Sequence, residues 1–210
     1  MKALTACSLY TFVDTTYLRG RDPVEVAREL CAGGSDIIQF RAKSLPVKEI
    51  AAMGARILEV TNDAGIPLVI NDHPEIARDI GAPLAHLGQE DFFDPAVRRV
   101  PGQAIGLSTH GPAQAERAIA AGAAYIAAGP VYATPTKPTT KPVTLDYVRW
   151  AAANVRIPWF AIGGIDLKNI DEVLAAGATR IGVVSAILNA PDTREACQTF
   201  KQRLTSAARK

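Results

Sequence analysis

No stretch of this 210-residue sequence has the ~20 consecutive apolar residues that would cross a bilayer, and no tract is compositionally biased. Neither sign of charge is in excess. With 23 basic and 21 acidic residues spread along the chain, a net charge of +2 gives no field for nucleic acid or an anionic membrane surface, so any anion must be met locally. Cysteine is scarce. Cys7, Cys31 and Cys197 lie far apart without a CxxC pair, a usage that suits a reducing cytoplasm. LTAC, at residues 4–7, has the form of a lipoprotein cleavage box but lacks the apolar core of about 7 to 15 residues that should precede one. The three histidines form no HxH or HExxH spacing, which argues against a histidine metal site. His86 lies within an apolar run and reads as core, while His73 and His110 read as loop residues.

What is present is enough hydrophobic residue, 48%, to bury one large core, and a single domain over residues 1–210 is expected. Short runs rich in Val, Ile and aromatics alternate with longer segments of helical period, the pattern of parallel strands joined by crossover helices. Eight strand candidates can be counted: SLYTFV from Ser8, DIIQF from Asp36, PLVI from Pro67, PLAHL from Pro83, AIGL from Ala104, YIAAG from Tyr125, PWFAIG from Pro158 and RIGVVS from Arg180. Helix starts are expected at Asp22-Pro23 and Asp94-Pro95, and helix ends at Gly33, Gly65, Gly81, Gly122 and Gly177. AIAAGAAYI and VLAAGATRI repeat one unit, a helix closing on Ala-Gly-Ala before a strand. Eight such units predict an α/β fold of the (β/α)8 TIM-barrel type, with an open doubly wound sheet as the alternative.

In such a barrel the active site lies at the C-terminal ends of the strands, and here those ends are polar almost everywhere. They bring Gln39, Arg41 and Lys43, then Asn71 and Asp72, Gln89 and Asp91, Ser108, and after the sixth strand Thr134, Thr136 and Lys137; the last two strands run into Gly163, Gly164 and Ser185. Singly, each has an ordinary reading. Arg41 and Lys43 could be a solvated loop, Asp72 a helix cap and the glycine pair a tight turn. Together, three cations and two carboxylates on one rim suit a polyphosphate bound with Mg2+, the ion held by Asp72 and Asp91 and the remaining charge met by Arg41, Lys43 and Lys137. Ile162-Gly-Gly-Ile and Val183-Val-Ser-Ala suggest a second site, for a single phosphate approached by backbone N–H groups. No lysine lies inside a candidate strand and no nucleophile is evident, which disfavours a Schiff-base aldolase.

QFRAK at Gln39, INDHPEIA at Ile70, HLGQED at His86, GLSTH at Gly106, GPVYATPTK at Gly129, AIGGI at Ala161 and GVVSAI at Gly182 occur in this order over nearly the whole chain. In them the sequence strongly resembles the thiamine phosphate synthase family. The resemblance implies a cytoplasmic transferase that joins 4-amino-5-hydroxymethyl-2-methylpyrimidine diphosphate to the nitrogen of 4-methyl-5-(2-phosphoethyl)thiazole or its carboxylate, releasing diphosphate through a pyrimidine carbocation. It implies Mg2+ on Asp72 and Asp91, the diphosphate on Arg41, Lys43, Asn71 and Lys137, and the pyrimidine on Gln39 and Ser108. Thr134, Thr136, Gly164, Val184 and Ser185 would bind the thiazole phosphate, and Phe40, Ala42 and Pro135 are counted with the substrate-binding residues. The implied partners are these small molecules, with no nucleic acid and no membrane; a homo-oligomer is left open.

The segment GPVYATPTKPTTKP, residues 129–142, then reads as a semi-rigid lid whose prolines limit its shapes, rather than as a solvated linker. Ala42, Ala124, Ala133 and Thr144 depart from the family's usual Glu, Asp, Pro and Gly, and put loop detail in question. Two rivals remain. A thiazole tautomerase of the same superfamily typically has a catalytic His after the strand-six glycine, where Pro130 stands here, and lacks the paired Asp residues. A non-catalytic phosphate-binding barrel would leave Arg41, Lys43, Asp72 and Asp91 without a role.

Overall fold

Strand closure, which no sequence pattern reveals, is settled by the pairing of the first and last strands. The structure, a computed structural model, describes residues 1–94, 100–134, 136 and 140–208. Its strands are β1 (Leu9–Asp14), β2 (Ile37–Arg41), β3 (Leu68–Asn71), β4 (Leu84–Leu87), β5 (Ala104–Thr109), β6 (Tyr125–Ala128), β7 (Trp159–Ile162) and β8 (Ile181–Gly182). All neighbours are parallel, and β8 returns to β1 through Leu9↔Ile181 and Tyr10↔Gly182, closing the barrel. Among the described residues the helices are α1 (Pro23–Ala32), α2 (Val47–Asp63), α3 (Pro74–Ile80), α4 (Gln89–Phe93), α5 (Pro112–Ala120), α6 (Thr144–Asn154), α7 (Ile170–Ala175), α8 (Ser185–Leu188) and α9 (Thr193–Ala207). None is long and apolar enough to cross a membrane.

The helix punctuation works as the residue chemistry requires. Asp22 caps α1 by accepting from the Val24 N–H, with Pro23 at the first helical position, and Gly81 ends α3 in the left-handed region. Asp94, expected to start a helix, is the C-cap of α4; residues 95–99, where that helix would run, lie outside the described residues.

Period-two alternation divides the strand residues into two cores. Tyr10, Phe12, Ile37, Val69, Leu84, Tyr125 and Phe160 form one cluster, the fill of the barrel. Leu9, Val13, Ile38, Phe40, Ile70, Leu107, Ile126 and Ala161 belong to the other, packed with helix residues such as Ile57, Val148 and Ile170. Inside the barrel Gly106 stands opposite Tyr125, and a Cβ there would lie 2.0 Å from the ring. Glycine is what lets the Tyr125 ring cross the interior at that level.

The opposite, N-terminal end of the barrel is tied by Asp36. Its carboxylate accepts from the backbone N–H groups of Ser8 (2.7 Å) and Leu9 (2.9 Å) and pairs with Lys201 of α9 (2.5 Å) and with Lys2. Burial alone would push this carboxyl up, but the two ammonium groups and the N–H donors outweigh it and hold the pKa at about 2, against an ordinary 3.8. Because the folded value is depressed, the stabilisation is complete above pH ~4 and is lost as pH falls toward 2, about 2 kcal/mol in all. Urea midpoints of the wild-type protein and Asp36→Asn should therefore differ widely at pH 7 and converge near pH 2; a gap that stays constant would deny Asp36 this role.

Thr144, at the start of α6, has φ +62. The left-handed region is costly for a β-branched residue, and the family resemblance leads to the expectation of a glycine near this point. The exposed Thr144 side chain accepts from the Asp146 N–H at only 3.3 Å, a weak return. Thr144→Gly is expected to stabilise the protein by about 1 kcal/mol, a rise of roughly 2–4 °C in Tm. An unchanged or lower Tm would mean that the threonine contact offsets the backbone cost.

Candidate active site

Strand alternation carries Gln39, Arg41 and Ser108 into a cavity of about 210 Å3 at the C-terminal ends of the strands. The same cavity is lined by Lys43, Asn71, Asp72, Asp91, Thr134, Thr136, Gly164, Val184 and Ser185. Twelve of the residues singled out from the sequence thus line one cavity. Phe40 and Ala42 do not: the alternation that turns Gln39 and Arg41 inward turns them outward, and both are buried in the core between barrel and helices, away from the cavity lining. Lys137 and Pro135 lie outside the described residues.

The charged rim is built from paired groups. Arg41 donates through Nη1 to Asp14 at 2.8 Å, and Asp14 is fully buried at the end of β1, where its other oxygen accepts from the Thr16 N–H. A buried carboxylate thereby fixes the guanidinium while its other N–H groups remain as donors. Lys43 pairs with Asp72 at 2.5 Å, both partly exposed. Asp72 is not a helix cap: α3 has His73 at its N-cap position with no capping side chain. Asp72 instead sits at φ +63, held by its N–H donating to the His86 carbonyl at 2.9 Å, a conformation aspartate tolerates better than most residues. Asp91, on α4, folds over Gly88, where a Cβ would stand 3.2 Å from Oδ2.

Across the mouth, Gly163 and Gly164 have φ +99 and +67, and added Cβ atoms would meet Pro130 at 2.4 Å and Tyr132 at 2.7 Å. The turn after β7 can therefore lie against the segment after β6, which is stitched to it by Val131 N–H to Ile162 (2.9 Å) and Tyr132 N–H to Gly163 (3.0 Å). Thr136 shares a hydrogen bond of 2.7 Å with the Tyr17 hydroxyl, from the 3-10 turn after β1.

The floor holds residues that motif reading passed over. Tyr10 and Phe12 stack at 4.7 Å, and Gln39, Tyr10, Tyr125, His86 and Ser108 form a connected series of hydrogen bonds. His86 is indeed buried, but it borders the cavity rather than only packing. Asp14 was also passed over, although its position two residues beyond Phe12 on an inward-facing strand was a usable signal.

The family model described as thiamine monophosphate synthase matches residues 9–187. A thiamine-phosphate synthase of Thermus thermophilus is 47% identical over 178 residues, which are 84% of this chain and 86% of that protein. One from Shouchella clausii is 38% identical over 203 residues, 95% of this chain and 97% of its own. Among solved structures, a thiamine phosphate pyrophosphorylase from Pyrococcus furiosus superposes with a TM-score of 0.84 at 28% identity, covering 96% of each chain.

Proposed function

The chain belongs to the thiamine monophosphate synthase family, and we propose that its cavity carries out the family's condensation by dissociation first and capture second. The reaction joins 4-amino-5-hydroxymethyl-2-methylpyrimidine diphosphate to the nitrogen of 4-methyl-5-(2-phosphoethyl)thiazole, giving thiamine phosphate and diphosphate. In the proposed order the C–O bond between methylene and diphosphate breaks, its electron pair leaving with the diphosphate. The charge left on the methylene is shared with the pyrimidine ring until the thiazole nitrogen supplies the pair for the new C–N bond.

The observation that carries this reading is the convergence of Arg41, Lys43, Asp72 and Asp91 on one mouth, with no lysine in any of the eight strands. Arg41, Lys43 and Asn71 hold the departing diphosphate, with Lys137 assigned to the same task. Among the described residues no three His, Cys, Asp or Glu side chains gather as a metal cluster, so an ion here would depend on substrate oxygens. Two carboxylates with oxygen donors alone suit Mg2+, which would be held by Asp72 and Asp91. When bound, that ion supplies charge stabilisation for the leaving group. Gly164, Val184, Ser185, Thr134 and Thr136 take the thiazole phosphate, while Gln39 and Ser108 address the pyrimidine.

Ser108 Oγ meets His86 Nε2 at 2.9 Å, and the other ring nitrogen, Nδ1, faces the Tyr125 hydroxyl at 3.0 Å, where a triad would place a carboxylate. That arrangement does not activate a covalent nucleophile. A cytoplasmic setting fits the three free cysteines.

Incubation of the protein with both substrates and Mg2+ should yield thiamine phosphate and diphosphate in equal amounts, and absence of product would contradict the reading. Ser108→Ala is expected to raise KM for the pyrimidine diphosphate about tenfold and leave KM for the thiazole phosphate unchanged. Equal effects on both would place Ser108 elsewhere than at the pyrimidine.

A further inference from the structure

Five polar side chains cross the barrel floor in one connected series. Gln39 Nε2 donates to the Tyr10 hydroxyl at 2.5 Å, Tyr10 and Tyr125 share a hydrogen bond of 2.8 Å, Tyr125 meets His86 Nδ1 at 3.0 Å, and His86 Nε2 meets Ser108 Oγ at 2.9 Å. Tyr10 and Tyr125 are fully buried, Gln39 is 2% exposed and the other two are under a tenth exposed. A hydroxyl has one proton to give, so the sense of one bond constrains the next. In the sense where Tyr10, accepting from the Gln39 amide, gives its own proton to Tyr125, each remaining bond finds one donor and one acceptor. Tyr125 then donates to His86 Nδ1, the imidazole carries its proton on Nε2, and that proton goes to Ser108 Oγ. The Ser108 proton is thereby directed away from His86, toward the cavity it lines. Burial raises the pKa of both phenols, so both keep the proton this sense requires.

We infer that Tyr10, Tyr125 and His86 are positioning residues that pass the donor sense of the Gln39 amide to Ser108, and so make the cavity selective for an aminopyrimidine over its oxo counterpart. The inference rests on the reading that Gln39 and Ser108 address the pyrimidine. With Nε2 committed to Tyr10, Gln39 offers Oε1 as acceptor, and Ser108 offers O–H as donor. An aminopyrimidine edge presents the complement, an amino donor beside a ring-nitrogen acceptor. A 4-oxo ring presents an acceptor beside an N–H donor, the pattern that matches the series with every bond reversed. Reversal would turn the Gln39 amide over and move the imidazole proton to Nδ1. A site whose buried polar groups are left mismatched rejects the wrong analogue strongly.

Tyr125→Phe keeps the ring over Gly106 but removes the central hydroxyl, releasing His86 and Ser108 to take either sense. The test is the ratio of kcat/KM for the 4-amino pyrimidine diphosphate to that for its 4-oxo analogue. It is expected to fall at least tenfold in Tyr125→Phe, chiefly through faster use of the oxo substrate relative to the amino one. An unchanged ratio in a folded variant, whatever the loss of overall rate, would overturn the inference. Independently of substrate, 15N NMR of the wild-type protein should find the proton of His86 on Nε2 with Nδ1 unprotonated; a proton on Nδ1 would also overturn it. Failure of the pyrimidine assignment itself would show separately, as an unaltered pyrimidine KM in Ser108→Ala with the His86 tautomer as stated.

Discussion

Replacing the 2-methyl group of the pyrimidine diphosphate by trifluoromethyl is expected to slow single-turnover chemistry by ~10³-fold or more, about 4 kcal/mol of barrier, while ground-state affinity changes little. If diphosphate departs before the thiazole nitrogen arrives, positive charge accumulates on the methylene and spreads into the ring. An electron-withdrawing substituent conjugated with that centre raises the barrier in proportion. Direct displacement would show a much weaker dependence, since the incoming nitrogen replaces charge as it is lost. The proposed site is built for the first course: Arg41 anchored on Asp14 and Lys43 on Asp72 would meet the leaving group, and Ser108 is engaged by an imidazole whose other nitrogen faces a phenol. A slowdown under tenfold, with chemistry shown to be the step measured, would leave concerted displacement as the better account.

Neutralising either rim carboxylate, as Asp72→Asn or Asp91→Asn, is expected to cost at least ~10²-fold in kcat/KM, about 2.7 kcal/mol. Asparagine is the informative replacement at position 72 because it tolerates φ +63 nearly as well as aspartate, so charge is removed with little backbone penalty. Since α3 takes no capping bond from this side chain, thermal stability should change little. Lys43, 54% exposed, loses its partner to water rather than to an apolar pocket. Full activity of either variant, or of the wild-type enzyme in excess chelator, would remove the metal from the account.

The barrel was legible because each strand is short and apolar, and α1, α2, α3, α5 and α7 each run into a glycine stop signal. Closure was not, since it depends on β8 meeting β1 rather than on any local pattern. At the site, residues at or just beyond the end of a strand announced themselves by polarity, as Arg41, Asn71 and Asp72 did. Phe40 and Ala42, counted with the substrate-binding residues beside Gln39 and Arg41, do not line the cavity, since alternation assigns the members of QFRAK to opposite faces of the barrel. Asp14, Tyr10 and Tyr125 stayed hidden for a different reason. Their roles come from contacts across the barrel, such as Tyr10 to Tyr125 at 115 residues' separation, which no neighbouring sequence marks. Thr144 was visible as a departure from the expected glycine, but only the backbone dihedral shows why glycine would suit the position.

The central claim, that the rim binds diphosphate through a cation held by Asp72 and Asp91, is tested most directly by calorimetric binding of inorganic diphosphate with and without Mg2+. The wild-type protein should bind it at least tenfold more tightly with the ion present, and Asp72→Asn should lose that dependence. Equal affinity with and without Mg2+ in the wild-type protein, or an undiminished effect of the ion in Asp72→Asn, would contradict it.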